Sequence, residues 1–443
     1  MFLSVFKKTK KDQTATQQNP VQKLRVVITG ADENATLPFQ IVAKETLSQF
    51  PWFEIQTQSE QTFENFLDLN NKNFFDFLDS GLKILKKYQA DILIRLYQKG
   101  NIVRLNFQTP DMYLTDKPPF LSLLSGLYLP ISYFRQPPLP AEISTLIAGT
   151  LLSLNLKKDE QYKPLLQNLV DILSKNRPPQ GIEPQYMPHI LNLLAFNYIA
   201  ANSSKLEKQH VKLAMNLIDV AYHKQNKNDS SLTEGSLLLT LGQMYQCALS
   251  GKNADSYILL ERAIESYKKA QKHFNRYVFP YDYGHLSVIL SELYFQFFKL
   301  SDDSQALRDA VFHLREAEKI FTKTQFSVLW AKIKHNLGIY LSLLSARSDN
   351  EEIAERAVEN FKDEQQIYSL QTAPEKWAEI EIEIAHICYH LGRKLFKIEH
   401  IENAVKHYSN AFDVYAKLQK TEKLKQIELY VQKADEEIMR LEK

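Results

Sequence analysis

His386 and His390 stand four residues apart in "AEIEIEIAHICYHL", and on a helix that spacing puts both imidazoles on one face, where two nitrogens can share a metal ion. Cys388 lies two residues from each and projects elsewhere, and Ile387 stands where a zinc-protease helix needs glutamate. The pair therefore reads as polar lining of a helix surface, and no metal ligand is assigned. A second stretch, "TGADENATLP", sits where mononucleotide-binding folds hold phosphate. Such cradles need several glycines so that backbone amides can close around oxygen atoms, and this loop has only Gly30. Thr36 as an N-cap and Pro38 just inside the next helix account for it instead. No GxGxxG, GxxxxGK[ST] or GxSxG occurs in the chain, so neither a phosphate loop nor a nucleophile elbow is written. No catalytic residue and no cofactor is assigned, and the chain reads as non-enzymatic.

The elements that would position any site belong to a chain of 443 residues, 44% hydrophobic, enough for a large core and more than one domain. Its 54 basic and 52 acidic residues are spread along the chain, which leaves no electrostatic footprint for nucleic acid. The two cysteines, Cys247 and Cys388, each sit in an apolar helical pattern, so neither a disulfide framework nor a zinc cluster is expected, and the cytoplasm fits. The start "MFLSVFKKTKK" has its charges after a short apolar run, the reverse of a secretory signal. A weak peripheral membrane contact is expected of residues 1–12, with Phe2, Leu3, Val5 and Phe6 entering the interface and Lys7, Lys8, Lys10 and Lys11 meeting anionic headgroups. That would place the protein at the inner face of the membrane.

In the second half, Ala263, Ala310, Ala357 and Ala404 stand 47 residues apart. Four residues beyond each come Tyr267, Leu314, Phe361 and Tyr408, and eleven beyond come Phe274, Phe321, Tyr368 and Tyr415, offsets that mark one face of an α-helix. An upstream helix keeps the same order, opening at Tyr283, Trp330 and Trp377 and carrying a large residue followed by a small one at Leu290-Ser291, Leu337-Gly338 and Ile384-Ala385. A small residue there lets the paired helix come close, and an aromatic ring fills the end of the pair. The pattern continues upstream through Ile147-Ala148, Leu194-Ala195 and Leu241-Gly242, with a two-residue insertion before Leu290. Six helical hairpins are predicted, starting near Ala141, Met187, Glu234, Asp282, Leu329 and Lys376, a solenoid by its period.

The centre "HNLGIYL" of the first helix and "NAVKHYSNA" of the second, with "DAVFHLREA" alongside, resemble the tetratricopeptide repeat (TPR). The resemblance covers roughly the last two thirds of the chain. The usual TPR has about 34 residues and HEAT-type repeats about 40 to 47, so the helices here must be longer. Repeats opening with "WA" also look like those of a poorly characterised bacterial group of TPR proteins with a small amino-terminal α/β domain. The resemblance implies binding of another protein or peptide on the face of the first helices. A carboxylate clamp of Lys, Asn and Arg is not written there. The face carries Lys332, His335 and Ile339, then Glu379, Ile382 and His386, with His285, Val288 and Glu292 one repeat earlier. This is a row with histidines (His189, His285, His335, His386) and aromatics (Phe196, Phe295, Tyr389), of which Phe295, His335, His386 and Tyr389 are the expected partner contacts.

Before Ala141 the period changes. "KLRVVITG", "WFEIQTQ", "ADILIRLYQ" and "NIVRLNFQ" read as strands and "LPFQIVAKETLSQF" and "NFFDFLDSGLKILKKYQ" as helices, the last two strands joined by a hairpin at Lys99-Gly100-Asn101. The stretch "PPFLSLLSGLYLPISYFRQPPLP", with six prolines, reads as an ordered connector. The expected organisation is a basic and apolar tail (1–22), a β-α-β-α-β-β domain (23–115), a Pro-rich connector (116–140), six hairpins (141–420) and a capping helix (421–443). The fold class is thus α+β and multidomain: a small α/β sandwich followed by an all-α, TPR-like superhelix. An interaction scaffold or adaptor is the leading functional expectation. Two others stay open: a fixed structural subunit of a larger assembly, and a nucleotide- or sugar-phosphate-binding enzyme or sensor acting through the amino-terminal α/β domain near Gly30 to Asn34.

Overall fold

The structure is a computed structural model that describes residues 22–31, 39–59, 71–114, 118, 120–135, 138–156, 161–175, 182–202, 208–224, 231–249, 254–348 and 350–442. The tail with its membrane expectation, and Thr36 and Pro38, lie outside these residues. The chain forms two compact units, Met1–Tyr283 and Gly284–Lys443. No helix among the described residues is long and apolar enough to cross a membrane.

The first unit opens with a five-stranded sheet in the order β2-β1-β3-β4-β5. Its strands are β1 (Leu24–Ala31), β2 (Phe53–Ser59), β3 (Ile92–Lys99), β4 (Ile102–Gln108) and β5 (Leu127–Pro130). β1 runs parallel to β2 and β3, while β4 and β5 are antiparallel additions. Alternation sorts the side chains: Val26, Ile28, Ile92 and Ile94 join one core with helix α1 (Phe39–Leu47), and Val27 and Leu93 meet Leu85 of α2 (Asn71–Lys87) on the other face. Gly100 turns β3 into β4 at φ +59°, a left-handed conformation that suits glycine.

β5 corrects the sequence reading, which placed it inside a connector. "LYLP" alternates buried and half-buried residues and pairs with β4 from Leu127 opposite Leu105 to Pro130 opposite Ile102, so the sheet extends past residue 115. Proline is tolerated there because it ends an edge strand.

Thirteen α-helices follow among the described residues: α3 (Ala141–Asn155), α4 (Tyr162–Lys175), α5 (Met187–Asn202), α6 (Lys208–His223), α7 (Ser231–Cys247), α8 (Ala254–His273), α9 (Pro280–Ser301), α10 (Ser304–Glu318), α11 (Ser327–Arg347), α12 (Glu351–Gln365), α13 (Pro374–Leu395), α14 (Ile398–Lys417) and α15 (Thr421–Leu441). They form a repeat-like arrangement of helix pairs. Close approach depends on the small residues. In the first unit a Cβ on Gly242 would stand 2.8 Å from the Tyr267 ring, and one on Gly235 3.1 Å from the Phe274 ring. In the second unit a Cβ on Gly338 would stand 2.7 Å from the Phe361 ring, and one on Gly284 2.8 Å from Phe321. The repeated alanines Ala263, Ala310, Ala357 and Ala404 are all fully buried, whereas Trp330 and Trp377 are half-buried at the openings of their helices.

Candidate functional site

The first-helix face already holds a polypeptide in the first unit. The irregular segment from Phe120 to Gly126 is sewn to the sheet by Arg104, whose guanidinium donates to the Leu124 carbonyl at 2.8 Å, and by Asn106, which donates to the Leu123 carbonyl. Its other side lies on the helices. The Phe120 amide donates to Gln243 Oε1 at 2.9 Å, Ser125 Oγ donates to Ser236 Oγ at 3.0 Å, and the Phe120 ring stacks on Tyr267. Ser122 donates to Asp282 Oδ1, and Tyr113 donates to Oδ2 at 3.3 Å. Burial pushes the Asp282 carboxyl up to about 7, against the pull of those two donors and of Arg104. Nearby, His189 stacks on Tyr128 of β5 at 3.9 Å, and burial beside Arg104 drives its imidazole down to about 3. Phe196 and His285, expected on an accessible row, are instead buried at 0% and 6% exposure.

In the second unit one position of that register, His386, lines a groove. Gln243 corresponds by its place in the repeat to Glu292, Ile339 and His386, and Ser236 to His285, Lys332 and Glu379. A groove of about 280 Å³ runs between α11 and α13, lined on one side by Ser342, Leu343, Ser345 and Ala346 and on the other by Glu383, His386, Ile387, His390, Leu391 and Lys394. Small α11 side chains leave the space. Offsets of three, four and seven from Glu383 keep the α13 lining on one face. Lys394 donates to the backbone carbonyls of Ser345, Ala346 and Ser348, so its charge is committed to the end of α11.

Burial dominates the electrostatics of the groove. It raises the Glu383 carboxyl above its ordinary range; His335 and Lys376 pull it back, while Glu364 and Glu379 push it further up. His386 is lowered by burial and then by His390, and His390 by burial and then by Arg393. The Cys388 thiol, pushed up to about 11 by burial, stays protonated at neutral pH. Among the described residues no group of three His, Cys, Asp or Glu side chains is placed to hold a metal.

The four expected contact residues do not form one row. His386 lines the groove, its ring edge-on to Tyr430 at 4.9 Å and to Tyr408 at 5.7 Å. Tyr389 turns toward the core cluster around Tyr408 and Tyr415, with the Arg393 guanidinium 5.6 Å from its ring. His335 faces its own hairpin partner, Nδ1 standing 2.9 Å from Oε2 of the buried Glu364 on α12. Phe295 stacks on Tyr340 at 4.4 Å, under Lys299. Glu383, Ala346 and Leu391 were missed. The signal for Glu383 was present, since it precedes His386 by three and His390 by seven residues on one helical stripe.

The chain matches no known family model and no curated protein. Solved structures similar to it include a circular tandem repeat protein with novel repeat topology and enhanced subunit contact surfaces, at 14% identity and TM-score 0.25, covering 68% of this chain and 85% of that one. A de novo designed helical repeat protein gives 13% and 0.16, covering 59% of this chain and 99% of that one. A designed self-assembling cyclic homooligomer gives 13% and 0.12, covering 68% of this chain and 98% of that one. At such scores the likeness carries no inference about this chain, whose helical-repeat character rests on its own helix pairs.

Proposed function

We propose that this chain is a non-enzymatic scaffold or adaptor, TPR-like in its helix pairs, that holds a segment of a partner protein in the α11–α13 groove. One observation carries the reading. In the first unit, residues Phe120 to Gly126 lie on the first-helix face through Gln243 and Ser236, so side chains at this register receive irregular polypeptide within the chain itself. The α11–α13 groove includes His386, the counterpart of Gln243, and adds small and apolar walls and a second polar group at Glu383. A cytoplasmic setting suits two free cysteines, and the even charge balance favours a protein partner over nucleic acid.

A photo-crosslinking amino acid at Leu391, in the groove, tests this against the same group at Glu359, exposed on α12. The expected result in native cells is a discrete adduct from Leu391 alone, lost when Ala346→Trp fills the groove. Identical adducts from both positions, or an adduct indifferent to Ala346→Trp, would reject the assignment.

A further inference from the structure

Of the four glutamates on α13, three are paired. Glu375 meets Lys420 at 2.9 Å, Glu379 meets Lys376 at 3.4 Å, and Glu381 accepts from Asn410 at 2.7 Å and Gln365 at 2.6 Å beside His407. Glu383 has no hydrogen bond or ion pair among the described residues, although it is half-buried in the groove wall. A carboxylate withdrawn from water without a partner is destabilised, which is the cause of its upward shift.

The groove does not answer that charge from within. His386 and His390, one and two turns along the same stripe, are both held toward their neutral forms, and Lys394 is committed to three backbone carbonyls. Lys376 and His335 act on Glu383 from outside the groove lining, opposed by Glu364 and Glu379. The remaining walls, Leu343, Ala346, Ile387 and Leu391, offer apolar surface of the kind that covers a methylene stem.

Resting on the scaffold reading, we infer that this groove takes a basic side chain of the partner segment, its ammonium or guanidinium head on Glu383 and its aliphatic stem along Leu343, Ala346, Ile387 and Leu391. The free carboxylate then gains a charge-assisted hydrogen bond in a partly water-excluded site, where such bonds are stronger than at an open surface. Specificity follows from the same cause. A neutral or acidic side chain in this place leaves the half-buried Glu383 without a hydrogen-bonded cation.

The probes are N-acetyl-arginine amide and its neutral isostere N-acetyl-citrulline amide, titrated into the full chain with the Ile387 methyl group observed by NMR. The arginine amide is expected to shift that methyl saturably, with the citrulline amide weaker by roughly tenfold or more. Glu383→Gln, isosteric and expected to melt like the parent, should erase the difference. Equal binding of the two probes, no binding of either, or an arginine preference that survives Glu383→Gln would overturn the inference. A Leu391 adduct without arginine preference removes the cation pocket and leaves the scaffold standing. The preference without an adduct does the reverse.

Discussion

Asp282 ties the covering segment to the helices while carrying a carboxyl that burial lifts from its ordinary 3.8 to about 7. The raised value means that the folded state binds this proton more tightly than the unfolded chain. The stability it contributes is therefore complete below about pH 4 and is lost as pH rises through about 7. Asp282→Asn keeps an acceptor for Ser122 and cannot ionise, so its melting temperature should exceed the parent's more at about pH 8 than at about pH 5. A constant difference across that range would mean that the charge is not the cause. Gly338 makes a steric prediction of the same grain. An added Cβ would meet Phe361 at 2.7 Å, and Phe361 is 1% exposed in the core, so Gly338→Ala should cost about 1 to 3 kcal/mol in denaturant unfolding. Trimming the ring with Phe361→Leu in the same chain should recover part of that loss.

The end of α11 shows how one element positions another. Carbonyls at a helix C-terminus lack partners within the helix, and Lys394 reaches from α13 to those of Ser345, Ala346 and Ser348. Lys394→Met keeps the stem and removes the charge; a loss of about 1 kcal/mol is expected, with faster amide exchange confined to the last turn of α11. Unchanged exchange there would show that water serves those carbonyls equally well. At this scale the helices were legible because alanine and aromatic residues recur every 47 positions, and a helix pair leaves that imprint locally. β5 was not, because "LYLP" is four residues ending in a proline and becomes a strand only against β4. The covering segment was hidden for a related reason, its partners Gln243 and Asp282 lying 123 and 160 residues away from Phe120 and Ser122. His335 fell on the expected face by register, yet Glu364, from the second helix of the same hairpin, decides where its ring points. Periodicity reports which face a residue occupies and is silent about which distant polar group will claim it.

Across the whole molecule, one repeat position serves two ends: in Met1–Tyr283 Gln243 holds the chain's own segment, and in Gly284–Lys443 its counterpart His386 lines a groove. On that division of labour, one variant placed in each unit should separate cleanly between stability and capture. Gln243→Ala removes the acceptor of the Phe120 amide in a buried place, and should cost about 1 to 3 kcal/mol of stability while leaving the Leu391 adduct intact. Ala346→Trp, filling a groove that already faces solvent on one side, should change the melting temperature little and abolish the adduct. Combining the two should give the sum of both effects, as substitutions that share no partner do. The decisive failure would be a Gln243→Ala chain that melts like the parent yet captures nothing. In that case the Phe120 segment would be a movable ligand of its own face, and the partner would be binding where the segment now lies.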